Sequence, residues 1–111
     1  MRRRLRLRSS RDFDRVLRAG RRMGTACLTA YVRDNEGGLP RIGLAVSRRL
    51  GNAVVRNRIK RRLRALVGPL AGRSRAGRDV VIVARAGAIE ADAARLGDEV
   101  NEVWQKAVER P

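Results

Sequence analysis

The stretch from Asp79 to Arg85 constrains the fold more than any other part of the chain. Val80-Val81-Ile82-Val83-Ala84 is apolar without alternation, so it reads as a strand buried on both faces and therefore central in its sheet. Two strands precede it. Residues 24–33 form one, and alternation places Thr25, Cys27, Thr29 and Tyr31 on one side, with Ala26, Leu28, Ala30 and Val32 on the other. Arg41 to Ser47 form the next, with Ile42, Leu44 and Val46 toward the core and the small Gly43, Ala45 and Ser47 facing away. Between them Asp34-Asn35-Glu36-Gly37-Gly38 is rich in turn residues and predicts a hairpin loop.

Three helices complete the pattern. Ser9 or Ser10 can cap a helix running to about Ala19, with Asp12 favourable in its first turn, Gly20 at its end, and Phe13, Val16 and Leu17 on one face. A second helix starts near Gly51 and is predicted to stop before Pro69, because the residue preceding proline disfavours the helical region. Residues 71–78 follow as a polar loop. Gly87 breaks the apolar strand, and from Ile89 a last helix shows Ile89, Ala93, Leu96, Val100, Val103 and Ala107 as its stripe, with Trp104 beside it. The order is helix, strands, helix, strand, helix. This is an α+β domain, residues 1–111, with a β-α-β unit and residues 1–8 as a flexible basic tail.

The second helix carries the charge. Between Arg56 and Arg64 it holds six cations in nine residues: Arg56, Arg58, Lys60, Arg61, Arg62 and Arg64. At about 100° per residue, Val55, Ile59, Leu63 and Leu66 share one face. Arg56, Lys60 and Arg64 make a row at i, i+4 and i+8, with Asn57 and Arg61 beside it. Like charges four apart destabilise an isolated helix, so the arrangement calls for a polyanion. Composition agrees. The net charge is +16, the profile of a nucleic-acid binder. Residues 1–64 contain 20 Lys/Arg and 4 Asp/Glu, whereas residues 65–111 contain 7 of each. The first part supplies the binding charge and the last part reads as scaffold.

Other readings of the helix are weaker. A solvated face normally mixes signs, yet no acid occurs between Glu36 and Asp79. A membrane-surface helix is disfavoured by Arg62 at the edge of a stripe that lacks aromatic residues. Asn57, flanked by Arg56 and Arg58, adds directional hydrogen bonds that charge alone cannot give. Phe13 and Leu17, at i and i+4, read first as core. Tyr31, on a face with threonines, offers a surface for stacking single-stranded bases.

Several classes of function are excluded. Cys27 is the single cysteine and there is no histidine, which removes an intramolecular disulfide, a zinc cluster and the commonest general base. No apolar run reaches membrane-spanning length, and the basic N-terminus is not followed by a long apolar segment; a cytoplasmic protein is expected. Asp12, Asp14, Asp34 and Glu36 are explained by capping and turns. Glu90, Asp92, Asp98, Glu99 and Glu102 read as the polar side of the last helix. No catalytic residue and no metal ligand is assigned.

Gly51-Asn52-Ala53-Val54-Val55-Arg56-Asn57-Arg58-Ile59-Lys60-Arg61 closely resembles the signature helix of the protein subunit of bacterial ribonuclease P. Arg41-Ile42-Gly43-Leu44-Ala45-Val46-Ser47-Arg48-Arg49 is similar to the strand leading into that helix. Phe13, Val16, Leu17 and Gly20 match the family's first helix, and Val81-Ile82-Val83-Ala84-Arg85 its last strand. The resemblance implies an α-β-β-β-α-β-α sandwich like domain 2 of ribosomal protein S5, with a left-handed β-α-β crossover where the usual rule gives the right hand. It implies a protein, monomeric without RNA, that serves as cofactor to a catalytic ribonuclease P RNA. With Mg²⁺ held mainly by the RNA, that complex removes the 5′ leader of precursor tRNA and leaves a 5′-phosphate. By match, Phe13, Leu17, Thr29, Tyr31 and Ala45 would line a leader cleft. Arg48, Arg49, Asn52, Arg56, Asn57, Arg58, Lys60, Arg61 and Arg64 would face RNA.

Two positions depart from the family pattern. That of Leu17 is often aromatic and that of Ala45 often bears a hydroxyl, so a weaker or differently placed leader contact is implied. Arg62 stands where the family often has an apolar residue, and its stem would snorkel. The alternative functions, in order, are a general RNA-binding or ribosome-associated protein without a role in tRNA processing, a DNA-binding protein, and an endonuclease in its own right.

Overall fold

The computed structural model describes residues 5–110. Its elements are α1 (Ser10–Ala19), β1 (Arg21–Gly24), β2 (Leu28–Asp34), β3 (Arg41–Ala45), α2 (Ala53–Arg73), β4 (Arg78–Ala84), α3 (Gly87–Glu90) and α4 (Ala93–Val103), with a 3₁₀ turn at Arg48–Leu50 and a wide π turn at Trp104–Val108. The apolar strand is central, as its composition requires. The sheet order is β1-β2-β4-β3, with β4 antiparallel to β2 and parallel to β3. Successive β4 side chains alternate between two layers. Val80 and Ile82 meet Leu28, Ala30, Val32 and Ile42 together with Ile59, Leu63 and Val67 of α2 and Leu96 and Val100 of α4. Val81 meets Leu7 and Val16 beneath α1.

The expected hairpin between the second and third strands does not exist, because β4 lies between β2 and β3. Crossing a whole strand means spanning two inter-strand spacings, roughly 10 Å, and residues 35–40 provide that reach. Polar contacts hold this crossing over the start of β4. Asp79, buried, takes a bidentate pair from Arg41 (Nε–Oδ1 2.8 Å, Nη2–Oδ2 2.7 Å) and a bond from Asn35 Nδ2 (2.9 Å), which also donates to the Leu39 carbonyl. Arg41 also lies 3.6 Å from Asp12, tying the first turn of α1 to the same point.

The predicted strand 24–33 is divided. β1 and β2 form the real hairpin, with Arg21 opposite Val32 and Gly24 opposite Thr29. Thr25 closes the bend, its N–H donating to the Leu28 carbonyl at 2.7 Å. Cys27 therefore leaves the face assigned to it. It is buried against α4, where its thiol donates to Glu99 Oε2 (3.1 Å) and its N–H to Glu99 Oε1 (2.9 Å). Nor are residues 5–7 a flexible tail. Leu5 and Leu7 are buried, and the Leu7 N–H donates to the Ile42 carbonyl at 2.9 Å along the outer edge of β3. Of the rest of the expected tail, Arg8 is exposed and residues 1–4 lie outside the described residues.

α2 runs through Pro69 to Arg73, well past the predicted stop, and shortens the expected loop 71–78 to residues 74–77. Proline removes one hydrogen bond to the carbonyl four residues back. Here that carbonyl belongs to Ala65, which is exposed, as is Pro69, so water can replace the missing donor. Burial of Val67 and Ala71 on either side carries the helix through. The predicted last helix is interrupted instead. Asp92 caps α4, its Oδ1 accepting from the Arg95 N–H at 2.8 Å, and Ile89 and Ala93 are exposed. Trp104 and Val108 fill the core places beyond Val103, and the Trp104 indole donates to Glu109 at 2.9 Å.

Glu99 joins the β1–β2 bend to α4. The Thr25 hydroxyl beside it, the Cys27 thiol and N–H, and Arg95 hold its carboxyl at about 2, against the opposing effect of desolvation. A depressed folded value means a stabilisation present above the unfolded carboxylate range and lost as pH falls through the folded one. Glu99→Gln is therefore expected to lower stability by about 1–3 kcal/mol at pH 7, a deficit that shrinks between about pH 5 and pH 2. Urea unfolding midpoints of both proteins at pH 7 and pH 3 check this; an equal deficit at both would remove the charge from the explanation.

Candidate nucleic-acid interface

Strand register assembles the first part of the site. On the α1 side of the sheet, Tyr31, Val81 and Gly43 form one row across β2, β4 and β3, and Thr29, Val83 and Ala45 form the next. α1 covers these rows in part, through Val16 and Phe13. The tip of the Phe13 ring abuts Gly43, where a Cβ would overlap Cζ. Tyr31 is half-buried beside it. Thr29 is buried and its hydroxyl accepts from Arg85 Nε at 2.7 Å. Leu17 departs from the others, being 39 % exposed on the outer part of α1.

The second part is α2. Asn52 caps it by accepting from the Val55 N–H at 3.0 Å, so this residue orders the helix start and its carbonyl oxygen is already engaged. Gly51 precedes it at φ +145°, a value few side chains tolerate, and a Cβ there would meet Val55 at 2.9 Å. Val55, Ile59, Leu63 and Leu66 turn toward the core as their spacing requires, with Val67 and Ala71 continuing the stripe. Asn57, Arg58, Arg61 and Arg64 are exposed; Arg56 and Lys60 are half-buried. Arg48 and Arg49 stand exposed on the 3₁₀ turn before the helix. Arg56 Nε is buried without a hydrogen-bond partner. Arg62 reaches across to donate to the Ala91 carbonyl at 2.6 Å, which explains a cation at the edge of an apolar stripe.

The two parts meet in a cleft of about 160 Å³ lined by Arg6, Leu7, Phe13, Ile42, Gly43, Leu44, Lys60 and Arg64. One wall carries an aromatic ring and the other two cations of the α2 row. Of the cleft residues named from the sequence, Phe13 alone lines this cavity, while Thr29, Tyr31 and Ala45 lie on the same sheet face. Arg6, Leu7, Gly43 and Arg85 were not named. Alternation through Val81, Val83 and Arg85 was available to find the last of these. The docking of residues 5–7 had a fainter signal in the alternation of Leu5 and Leu7 with Arg6 and Arg8.

A family model described as Ribonuclease P matches residues 1–108. The chain belongs to that family. It is 38 % identical over 108 residues to the ribonuclease P protein component of Symbiobacterium thermophilum, covering 96 % of this chain and 94 % of the relative. It is 37 % identical over 108 residues to that of Shouchella clausii, covering 96 % and 88 %. Among solved structures, the Staphylococcus aureus RNase P protein superposes with a TM-score of 0.83 at 28 % identity, covering 94 % of this chain and 97 % of that one. An RNase P protein structure from Thermotoga maritima also gives 0.83, at 26 % identity, covering 91 % and 98 %. The α+β sandwich is thus the ribonuclease P protein fold.

The contact between Phe13 and Gly43 yields a test of how the cleft is built. Gly43→Ala should displace the ring and cost about 1–3 kcal/mol, as overpacking does. With Phe13→Leu the methyl gains room, so the double variant should lose less than the sum of the two single ones. Strict additivity in thermal unfolding would mean that the ring does not rest on Gly43.

Proposed function

We propose that this chain is the protein component of ribonuclease P and assists removal of the 5′ leader from precursor tRNA, in a cytoplasmic complex with a catalytic RNA. The observation that carries this is the cleft in which Phe13 faces Lys60 and Arg64, in a member of the ribonuclease P family. An aromatic face stacks bases and a cation row follows a phosphate backbone, the two contacts that single-stranded nucleic acid needs. Extended leader nucleotides would enter along the Tyr31 and Phe13 side, with phosphates toward Lys60, Arg64 and Arg85. Arg48, Arg49, Arg56, Asn57, Arg58 and Arg61 would meet the catalytic RNA. The absence of any acid in α2 supports an anionic partner there.

The chemistry would belong to the RNA. Mg²⁺ would be held mainly by that partner. The carboxylates of Asp12, Asp34, Asp79, Glu99 and Glu102 each lie within ion-pair distance of an arginine or lysine. This chain's contribution is to bind, orient and screen. No helix among the described residues is long and apolar enough to cross a membrane.

Two measurements test the reading. Purified protein with Mg²⁺ should leave precursor tRNA intact and should support cleavage once the RNA subunit is added; cleavage surviving removal of all RNA would overturn it. Within the holoenzyme, Tyr31→Ala should weaken binding of precursor tRNA by about 1 kcal/mol, the low end for a stacked base, or roughly fivefold. Mature tRNA, lacking a leader, should be unaffected. An equal loss for both ligands, or none, would remove the leader from this face.

A further inference from the structure

A second basic groove lies on the far edge of the sheet. It has a volume of about 260 Å³ and is lined by Arg21, Arg22 and Met23 of β1 and by Lys106, Ala107 and Arg110 at the C-terminal turn. β1 and β3 are the opposite edges of the sheet, so about three strand spacings, roughly 14 Å, separate this groove from the β3 edge on which the α1–α2 cleft opens. The neutral balance of residues 65–111 conceals it, because Lys106 and Arg110 gather beside cations from the first part of the chain.

The groove's positive charge is poorly compensated. Asp34 lies 4.0 Å from Arg21, and both side chains are more than half exposed. Asp34 is also claimed by Arg78, which sits largely buried behind the groove and donates to the Val108 and Arg110 carbonyls. Lys106 pairs with Glu102 at 3.1 Å on an exposed helix surface, a contact worth little and readily exchanged. Arg22 lies opposite Tyr31 and so points to the other face of the sheet, whereas Arg110, exposed, forms no ion pair among the described residues. Met23 and Ala107 give the groove an apolar floor between cationic rims. Phosphates on the rims with sugars over the floor match this pattern, and Arg78 fixes its C-terminal side.

We infer that this groove is a second docking site for the sugar–phosphate backbone of the RNA partner, held at the same time as the contact along α2. The inference rests on the assignment to a ribonuclease P complex and deepens it: a structured RNA would grip both edges of the sheet. The readout is affinity of the full chain for ribonuclease P RNA of its own host across a salt series. Each single-strand phosphate contact contributes about 0.7 to the slope of log affinity against log salt. Arg21→Ala with Lys106→Ala should therefore flatten the slope by about 1.4 and weaken binding roughly tenfold near 0.15 M salt. Arg21→Lys with Lys106→Arg should restore both. Arg73→Ala with Arg75→Ala removes the same charge outside the groove and should leave the slope unchanged.

A groove variant indistinguishable from wild type, while Arg61→Ala loses affinity and slope, would overturn this inference and leave the complex assignment standing. An equal loss in the Arg73/Arg75 control would reduce the groove to net charge and overturn it as well. Failure of the wild-type chain to bind that RNA would remove the assignment, and the inference with it.

Discussion

Everything in this fold follows from burying β4 on both sides. A strand with Val80 and Ile82 on one face and Val81 and Val83 on the other must be covered twice. α1 covers one face with ten residues and α2 with α4 cover the other. The coverage is unequal, and function uses the inequality. One short helix cannot roof a four-stranded sheet, so part of the Tyr31 and Ala45 rows stays reachable. The long α2 is anchored by Ile59, Leu63 and Val67, which frees its other faces to carry charge. Fully burying each such side chain contributes about 1.5–3 kcal/mol, against a few tenths for each like-charge pair at i and i+4. The core can therefore hold a cation row that an isolated helix would resist.

Periodic signals in the sequence were dependable and positional ones were less so. The α2 stripe, the buried β4, the core faces of β2 and β3 and a serine cap on α1, at Ser9 of the two candidates, all follow from spacing and side-chain type. Pairing was not legible. Asp34 to Gly38 has a hairpin's composition, but nothing local reports that β4 will insert between the strands it joins. The β1–β2 bend at Thr25-Ala26-Cys27 uses no glycine or proline, so it passed as strand. Pro69 reads as a stop on local conformational preference alone, which the burial of Val67 and Ala71 around it outweighs.

The site divides in the same way. Cations of α2 and the Tyr31 face could be named from pattern and family resemblance, since each is a property of one element. Contacts between distant segments could not. Phe13 resting on Gly43, Arg85 covering Thr29, and residues 5–7 beside β3 depend on packing that no single window contains. Asn52 shows the opposite case: a residue named for RNA is engaged as a cap, and its contribution to binding passes through the helix it starts.

The insertion of β4 also dictates an order of assembly. During synthesis β2, β3 and α2 leave the ribosome before residue 78, yet β2 and β3 bond to β4 and not to each other. Until β4 arrives, the nascent chain holds an empty slot between two strand edges, and α2 has only part of the surface it packs on. Closing the slot joins segments far apart in sequence, the kind of contact that slows folding and leaves edges open to wrong partners. A strongly basic helix emerging ahead of its own support is thus most exposed to stray RNA during translation, before the residues that give it a fixed orientation have been made.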